Sequence, residues 1–168
     1  MPKASLADKQ QYPTLATRVL FLSLILAVST LLGVSSKSYA LKGEPQPKLN
    51  SIVLDIGGHA LDTEVAATAV ERQRGLSFRQ SLGENSGMLF VYREQRPLVF
   101  TMRETSIPLA IAFLDAELVI LEIQQMKPFA VEPYPAQNPA QYALEVNAGW
   151  FQSHNIKPGM RVNLPKQQ

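Results

Sequence analysis

The sequence predicts a mainly β domain, a single sandwich or partly closed barrel of jelly-roll-like form with two short helices. Three observations point there. Apolar runs five or six residues long recur at Met88–Tyr92, Leu98–Met102, Leu109–Leu114 and Leu118–Ile123, separated by turn formers. Two earlier segments, Ile52–Ile56 and Leu61–Val65, alternate apolar and polar residues as half-buried strands do. No interval between runs is long enough for a full crossover helix, which argues against a parallel α/β sheet.

In chain order, residues 52, 54 and 56 share one face of the first strand, with Asp55 on the other. Gly57-Gly58-His59 reads as a turn, and Leu61, Thr63 and Val65 complete a hairpin whose second face carries Asp62 and Glu64. Thr68-Ala69-Val70-Glu71 has the form of a capping box and Gly75 that of a stop, so a helix of under two turns is expected between them. So short a helix must dock on the sheet to persist. Residues 81–87 form a loop. The four later runs are apolar at nearly every position, as in strands buried on both faces, and Asp115-Ala116-Glu117 joins the last two as a hairpin. Four prolines make residues 127–140 irregular. A strand resumes at Tyr142–Val146. Asn147 is expected to cap a second short helix over 148–154 that stops at Asn155, and Pro158-Gly159 leads into a closing strand at 161–164.

Residues 1–40 read as an export signal and are set apart from the domain. Lys3, Lys9 and Arg18 form a positive start, and Val19–Val34 is an uncharged apolar run. As a helix that run spans about 24 Å, short of the ~30 Å hydrocarbon core of a bilayer. Small residues at Ser38 and Ala40 suit cleavage after Ala40. Uncleaved, the same segment is an N-terminal anchor, and either way the domain is expected outside the cytoplasm, periplasmic or extracellular. Membrane contact is then transient and confined to this segment. Residues 41–50 (LKGEPQPKLN) read as a linker and 51–165 as one domain.

The composition excludes several function classes. The leader takes Lys3, Lys9, Arg18 and Lys37 against Asp8 alone, so the full chain's net charge of +2 turns slightly negative once it is removed. The basic balance is therefore no argument for a nucleic-acid partner. With no cysteine, disulfides, thiol catalysis and cysteine metal sites are absent. His59 and His154 stand in no ligand spacing, so neither a metal nor a cofactor is expected. There is no G-x-S-x-G elbow and no glycine-rich phosphate loop.

Arg72, Arg74, Arg79, Arg93, Arg96 and Arg103 crowd a short part of the chain, where guanidinium forks at strand ends suit an anion. The competing reading pairs them with Glu71, Glu84, Glu94 and Glu104 on a solvated surface. Arg103-Glu104-Thr105-Ser106 is a polar step between two apolar runs, the kind of place where a sheet end holds a ligand. The candidate ligand site is accordingly Arg72, Arg79, Arg103 and Glu104. Glu71 is better explained as a helix cap than as an acid–base group. Trp150 and Phe151 read as core anchors rather than a sugar platform.

Glu71-Arg72, Gly75-Leu76, Arg79, Gly87-Met88-Leu89-Phe90, Met102 with Thr105, Ile107-Pro108-Leu109, Phe113-Leu114-Asp115, Pro135-Ala136 with Tyr142, and Leu144-Glu145-Val146 with Gly149 form an ordered set. On these residues the chain resembles the bacterial and archaeal family known as domain of unknown function 192, over about Ile52 to Val162. The resemblance implies a compact β-sandwich of jelly-roll character, often exported, with no accepted enzymatic activity. The family usually reads Phe-Trp-Met-Lys-Asn-Thr before Ile-Pro-Leu-Asp. Here Thr101, Glu104 and Ala110 stand where its Trp, Asn and Asp would be.

The expected function is non-catalytic binding of a small ligand, an envelope component or a partner protein. Two alternatives are a hydrolase or transferase acting on envelope carbohydrate with carboxylates from Glu71, Glu104, Asp115 or Glu145, and a purely structural envelope module. The carbohydrate reading requires two carboxylates facing one cleft at roughly 5 to 9.5 Å.

Overall fold

The structure, a computed structural model, describes residues 43–164, so the expected leader and its cleavage point lie outside the described residues. Within the described residues nine strands and two short helices follow one another: β1 (Ser51–Ile56), β2 (His59–Ala66), α1 (Ala69–Arg74), β3 (Ser86–Arg96), β4 (Val99–Phe100), β5 (Leu109–Leu114), β6 (Ile120–Met126), β7 (Tyr134–Pro135), β8 (Ala140–Asn147), α2 (Trp150–Ser153) and β9 (Val162–Asn163). Seven strands form one sheet in the order β6-β5-β8-β3-β2-β1-β9, and β4 pairs with β7 in a second, two-stranded sheet.

The large sheet curls into a partly closed barrel. Val119, just before β6 at one edge, bridges Arg161, just before β9 at the other. The Ile120 N–H donates to Met160 O at 2.9 Å and the Val162 N–H to Leu118 O at 2.9 Å, so the two edges meet at one end. Gly57 and Gly58, both at positive φ (62° and 87°), make the tight β1–β2 turn that a right-twisted hairpin requires.

One pairing departs from the sequence reading. β2 and β3 run parallel, in register from Asp62↔Ser86 to Ala66↔Phe90. Residues 67–85, carrying only the six-residue α1, serve as the crossover. A parallel connection needs about a dozen residues to return the chain, not a long helix, so the short interval suffices. α1 itself is as expected: Thr68 Oγ1 accepts from the Glu71 N–H at 3.2 Å, and the Glu71 carboxylate accepts from the Thr68 and Ala67 N–H groups at 2.8 and 2.9 Å. Gly75 ends it at φ 47°, ψ −133°, a conformation that only glycine adopts without strain.

Two smaller differences have local causes. Asn147 does not cap α2, because it is the last residue of β8 and is held extended opposite Leu109. Its side-chain amide donates instead to Gly83 O at 2.7 Å, and the N-cap position falls to Gly149 in the left-handed region. The apolar run Leu98–Met102 contributes only Val99–Phe100 as strand. Residues 43–50, expected as a spacer, lie against the domain. The Gln46 amide donates to Gly75 O at 2.9 Å, and the Leu49 N–H donates to Glu64 at 2.7 Å.

The sheet separates two apolar cores. Leu54, Ile56, Leu61, Leu89, Ala112, Leu114, Ile120, Leu144, Val146 and Val162 face the barrel interior, which Trp150 and Phe151 of α2 plug, as their reading as core anchors requires. The Trp150 indole N–H donates to Asn85 Oδ1 at 3.0 Å, which satisfies its polar end. On the outer face Met88, Phe90, Leu109, Ile111, Phe113 and Ala143 pack against Leu76, Leu98, Phe100, Met102 and Ile107. β5 is therefore buried at every position, its alternate residues serving different cores. This is why that run is continuously apolar.

Candidate functional site

The four residues singled out by sequence go to different places. Arg79 pairs with Glu64, its guanidinium reaching both carboxylate oxygens, one at 2.8 Å. Both side chains are largely buried. Burial works against the charge on Glu64, but the Arg79 fork and the Leu49 N–H outweigh it and hold the carboxyl below the ordinary glutamate value. Arg72 is committed to the backbone, donating to Ala67 O and to Val91 O at 2.9 Å, with its guanidinium 4.7 Å from the centre of the Tyr92 ring. Arg103 is exposed. Glu104 lines a surface depression with Gly43, Val70, Arg74 and Phe78.

The polar step around Glu104 acts as a clamp. The Thr105 N–H closes the turn onto Met102 O at 3.0 Å. Two adjacent carbonyls then accept from two different loops: Glu104 O from the Phe78 N–H at 2.7 Å, and Thr105 O from the Phe129 N–H at 3.0 Å. Both phenylalanines have positive φ, 63° and 56°, which is strained for an aromatic residue and is held here by the carbonyls of one turn.

Beside this clamp lies a cleft of about 170 Å³, lined by Arg72, Gln73, Arg74, Gly75, Leu76, Ser77, Phe90, Tyr92, Val99, Phe100, Thr101, Thr105 and Glu145. α1 and the turn after it form one wall, and β3, β4 and the clamp form the rest. Glu145 comes from the middle of β8, where the ladder sets it opposite Met88 on one side and Ile111 on the other. Its neighbours Leu144 and Val146 face the barrel interior, so Glu145 faces the outer core. It is 4 % exposed. Among the described residues no hydrogen-bond donor or charged partner offsets this burial, which alone pushes the carboxyl up to about 8. Tyr92 on the same cleft is also raised, by burial first, with Arg72 and Arg96 working against the shift and Glu145 adding to it.

This arrangement holds a carboxyl group in its neutral form near pH 7, able both to donate and to accept a hydrogen bond. Among the described residues Glu145 is the only carboxylate lining the cleft. Glu71 is spent on the α1 cap. Asp115 accepts from the Glu117 and Val119 N–H groups at 2.9 and 2.8 Å within its turn. None of Glu71, Glu104 and Asp115 therefore joins Glu145 in lining this cleft. His59 and His154 meet edge to face, centroids 4.5 Å apart. Among the described residues no cluster of three or more metal-ligating side chains exists.

From the sequence Glu145 stands only among the four carboxylates of the carbohydrate reading and outside the candidate ligand site. Its signal was present: a single acid on a strand otherwise made of Tyr, Ala, Leu and Val, in a domain whose central strands read as buried on both faces. The departures from the family pattern also sort by position. Thr101 lines the cleft where the family usually has tryptophan, whereas Ala110 is fully buried on β5 in the inner core.

Residues 52–164 match the DUF192 family, described as Uncharacterized ACR. Two solved structures are similar. One is a candidate transcription regulator from Sinorhizobium meliloti, 27% identical, covering 71% of this chain and 97% of its own, with a TM-score of 0.68. The other is a protein of unknown function from Novosphingobium aromaticivorans, 33% identical, covering 71% of this chain and 89% of its own, with a TM-score of 0.67. No match was found among curated proteins.

Proposed function

This chain belongs to the DUF192 family, and we propose that its domain works outside the cytoplasm as a non-catalytic binding module that takes a small ligand in the Glu145 cleft. The observation that carries this reading is a carboxyl group 4 % exposed, without a protein partner among the described residues, at a concave and otherwise polar surface. An ionisable group buried without a partner costs stability, and such costs are concentrated at sites that bind or react. Arg72, already fixed by two carbonyls and the Tyr92 ring, and the clamped Thr105 supply a preorganised wall. We read β4–β7 over the outer core as the reduced second layer of a sandwich.

A structural module has no use for a carboxyl that opens onto a cleft without a hydrogen bond from the described residues, and Glu145 is such a group, while Arg79 and Glu64 pair with each other. The carbohydrate reading lacks its second carboxylate in the cleft. A nucleic-acid role drawn from the S. meliloti neighbour is not adopted, because the chain without its leader has a slightly negative net charge.

The binding half is tested by amide NMR of protein purified after expression of the full chain. A mixture of small charged and neutral molecules should shift the Thr101, Thr105 and Tyr92 signals, and a mixture that leaves them all unmoved refutes the reading. The location is tested by fractionating cells and weighing the exported species. A mass matching Leu41–Gln168 supports export with cleavage after Ala40, and full-length protein confined to the cytoplasm refutes it.

A further inference from the structure

The charge pattern of the cleft selects among small ligands, a selection that rests on the proposed binding role. α1 contributes two cations, Arg72 and Arg74, β3 contributes the Tyr92 phenol, and β8 contributes Glu145, with no other titratable group in the lining among the described residues. Ser77, Thr101 and Thr105 add hydroxyl groups, while Leu76, Phe90, Val99 and Phe100 supply apolar wall. Glu145 sits on the cleft wall only 4 % exposed, and burial raises its carboxyl to about 8, so near pH 7 the cleft presents donors and positive charge and no fixed negative charge. An organic cation meets two guanidinium groups there. Glu145 offers a single O–H, which one carboxylate oxygen takes.

We infer that the cleft binds a small monocarboxylate, which accepts the Glu145 O–H hydrogen bond and lies toward Arg72 and Arg74. The two carboxyl groups share one proton, and no covalent bond is made or broken. The space of about 170 Å³ limits the enclosed part to a few non-hydrogen atoms, so a larger molecule would enter by its carboxylate end. Arg72 needs no rearrangement to serve, since its carbonyl partners and the Tyr92 ring already fix it.

The probes are acetate, its neutral counterpart acetamide, and inorganic phosphate, titrated at constant ionic strength from pH 6 to pH 9.5 while the Thr101 and Thr105 signals are followed. Acetate should bind at least about tenfold more tightly than either alternative. Its affinity should be level up to pH 7.5 and fall about tenfold per pH unit above about 8, as Glu145 loses the shared proton. Glu145→Gln, whose amide donates but does not titrate, should flatten that profile. Thr101→Trp should weaken acetate at least about tenfold while leaving the urea unfolding midpoint within error. Equal binding of acetamide, a preference for phosphate, or an acetate affinity that ignores pH in the unaltered protein overturns the inference. If acetamide moves the two signals and acetate does not, the cleft stands as a binding site and only the ligand class falls. If none of the three probes moves them, both readings fall.

Discussion

Replacing Glu145 with glutamine is expected to stabilise the folded domain, by an amount that grows with pH. The side chain keeps its size and loses its ability to ionise, so the surrounding Met88, Phe90 and Ile111 need not repack. In the fold, burial raises the carboxyl from an ordinary value of 4.5 to about 8. For an acid whose folded value is raised, stability is fully present below the unfolded value and is lost as pH rises through the folded one. A tenfold change in an ionisation constant corresponds to about 1.4 kcal/mol, so the native protein loses about 3 kcal/mol from this group at pH 7 and under about 1 kcal/mol at pH 5. The stability difference between Glu145→Gln and the native protein should therefore rise by about 2 to 3 kcal/mol from pH 5 to pH 7, and level off above pH 8. Urea unfolding followed by the fluorescence of Trp150, the only tryptophan and 4 % exposed, measures both proteins across that range. Taking the difference cancels the titration of every other group. Parallel pH profiles for the two proteins, or a variant that loses ground as pH rises, would refute the account of Glu145 as a buried, unpaired acid.

The remaining expectations concern the frame around the cleft. Arg79→Met strands the Glu64 charge beneath the Leu49 segment and should cost about 2 to 4 kcal/mol in urea unfolding at pH 7, reduced from the value for a fully buried pair because some solvent reaches both groups. Glu64 is held below its ordinary value, so its contribution is present above pH 4.5 and lost as pH falls below it. Acid unfolding of Arg79→Met should accordingly be shallower than that of the native protein. Thr68→Ala removes the side-chain acceptor of the capping box and should cost about 1 kcal/mol, read as a lower urea midpoint. Gly75→Ala places a Cβ on a backbone at φ 47° and within 3.3 Å of the Phe90 ring, and should cost about 1 to 3 kcal/mol. A midpoint unchanged from the native protein would contradict the strained C-cap.

The strands were legible because their periodicity is local. Alternation at Ile52–Ile56 and Leu61–Val65 marked the hairpin, and continuous apolar runs marked strands with two buried faces. The Thr68/Glu71 cap was legible for the same reason, since its partners lie three residues apart. Asn147 misled because a good capping residue is also a good hydrogen-bonding residue for a neighbouring loop, and the loop at Gly83 won. The parallel β2–β3 pair was hidden because nothing in either strand records which neighbour it will join.

By itself the sequence determined the family pattern, the mainly β composition with two short helices, the absence of cysteine chemistry and the residues destined for the core. Those properties depend on residue type and near-neighbour spacing. Only the tertiary structure decided which polar groups pair with one another and which open onto a cleft. Arg72, Arg79, Arg103 and Glu104 looked alike as a charged cluster, yet folding bound Arg72 to two carbonyls and Arg79 to Glu64, and set Glu145 on the wall of a cleft. A side chain's need for a partner is written in its chemistry, whereas the supply of partners comes from segments distant along the chain. β8 brings Glu145 to a wall built by α1, β3 and β4, and the cleft exists only where those elements meet.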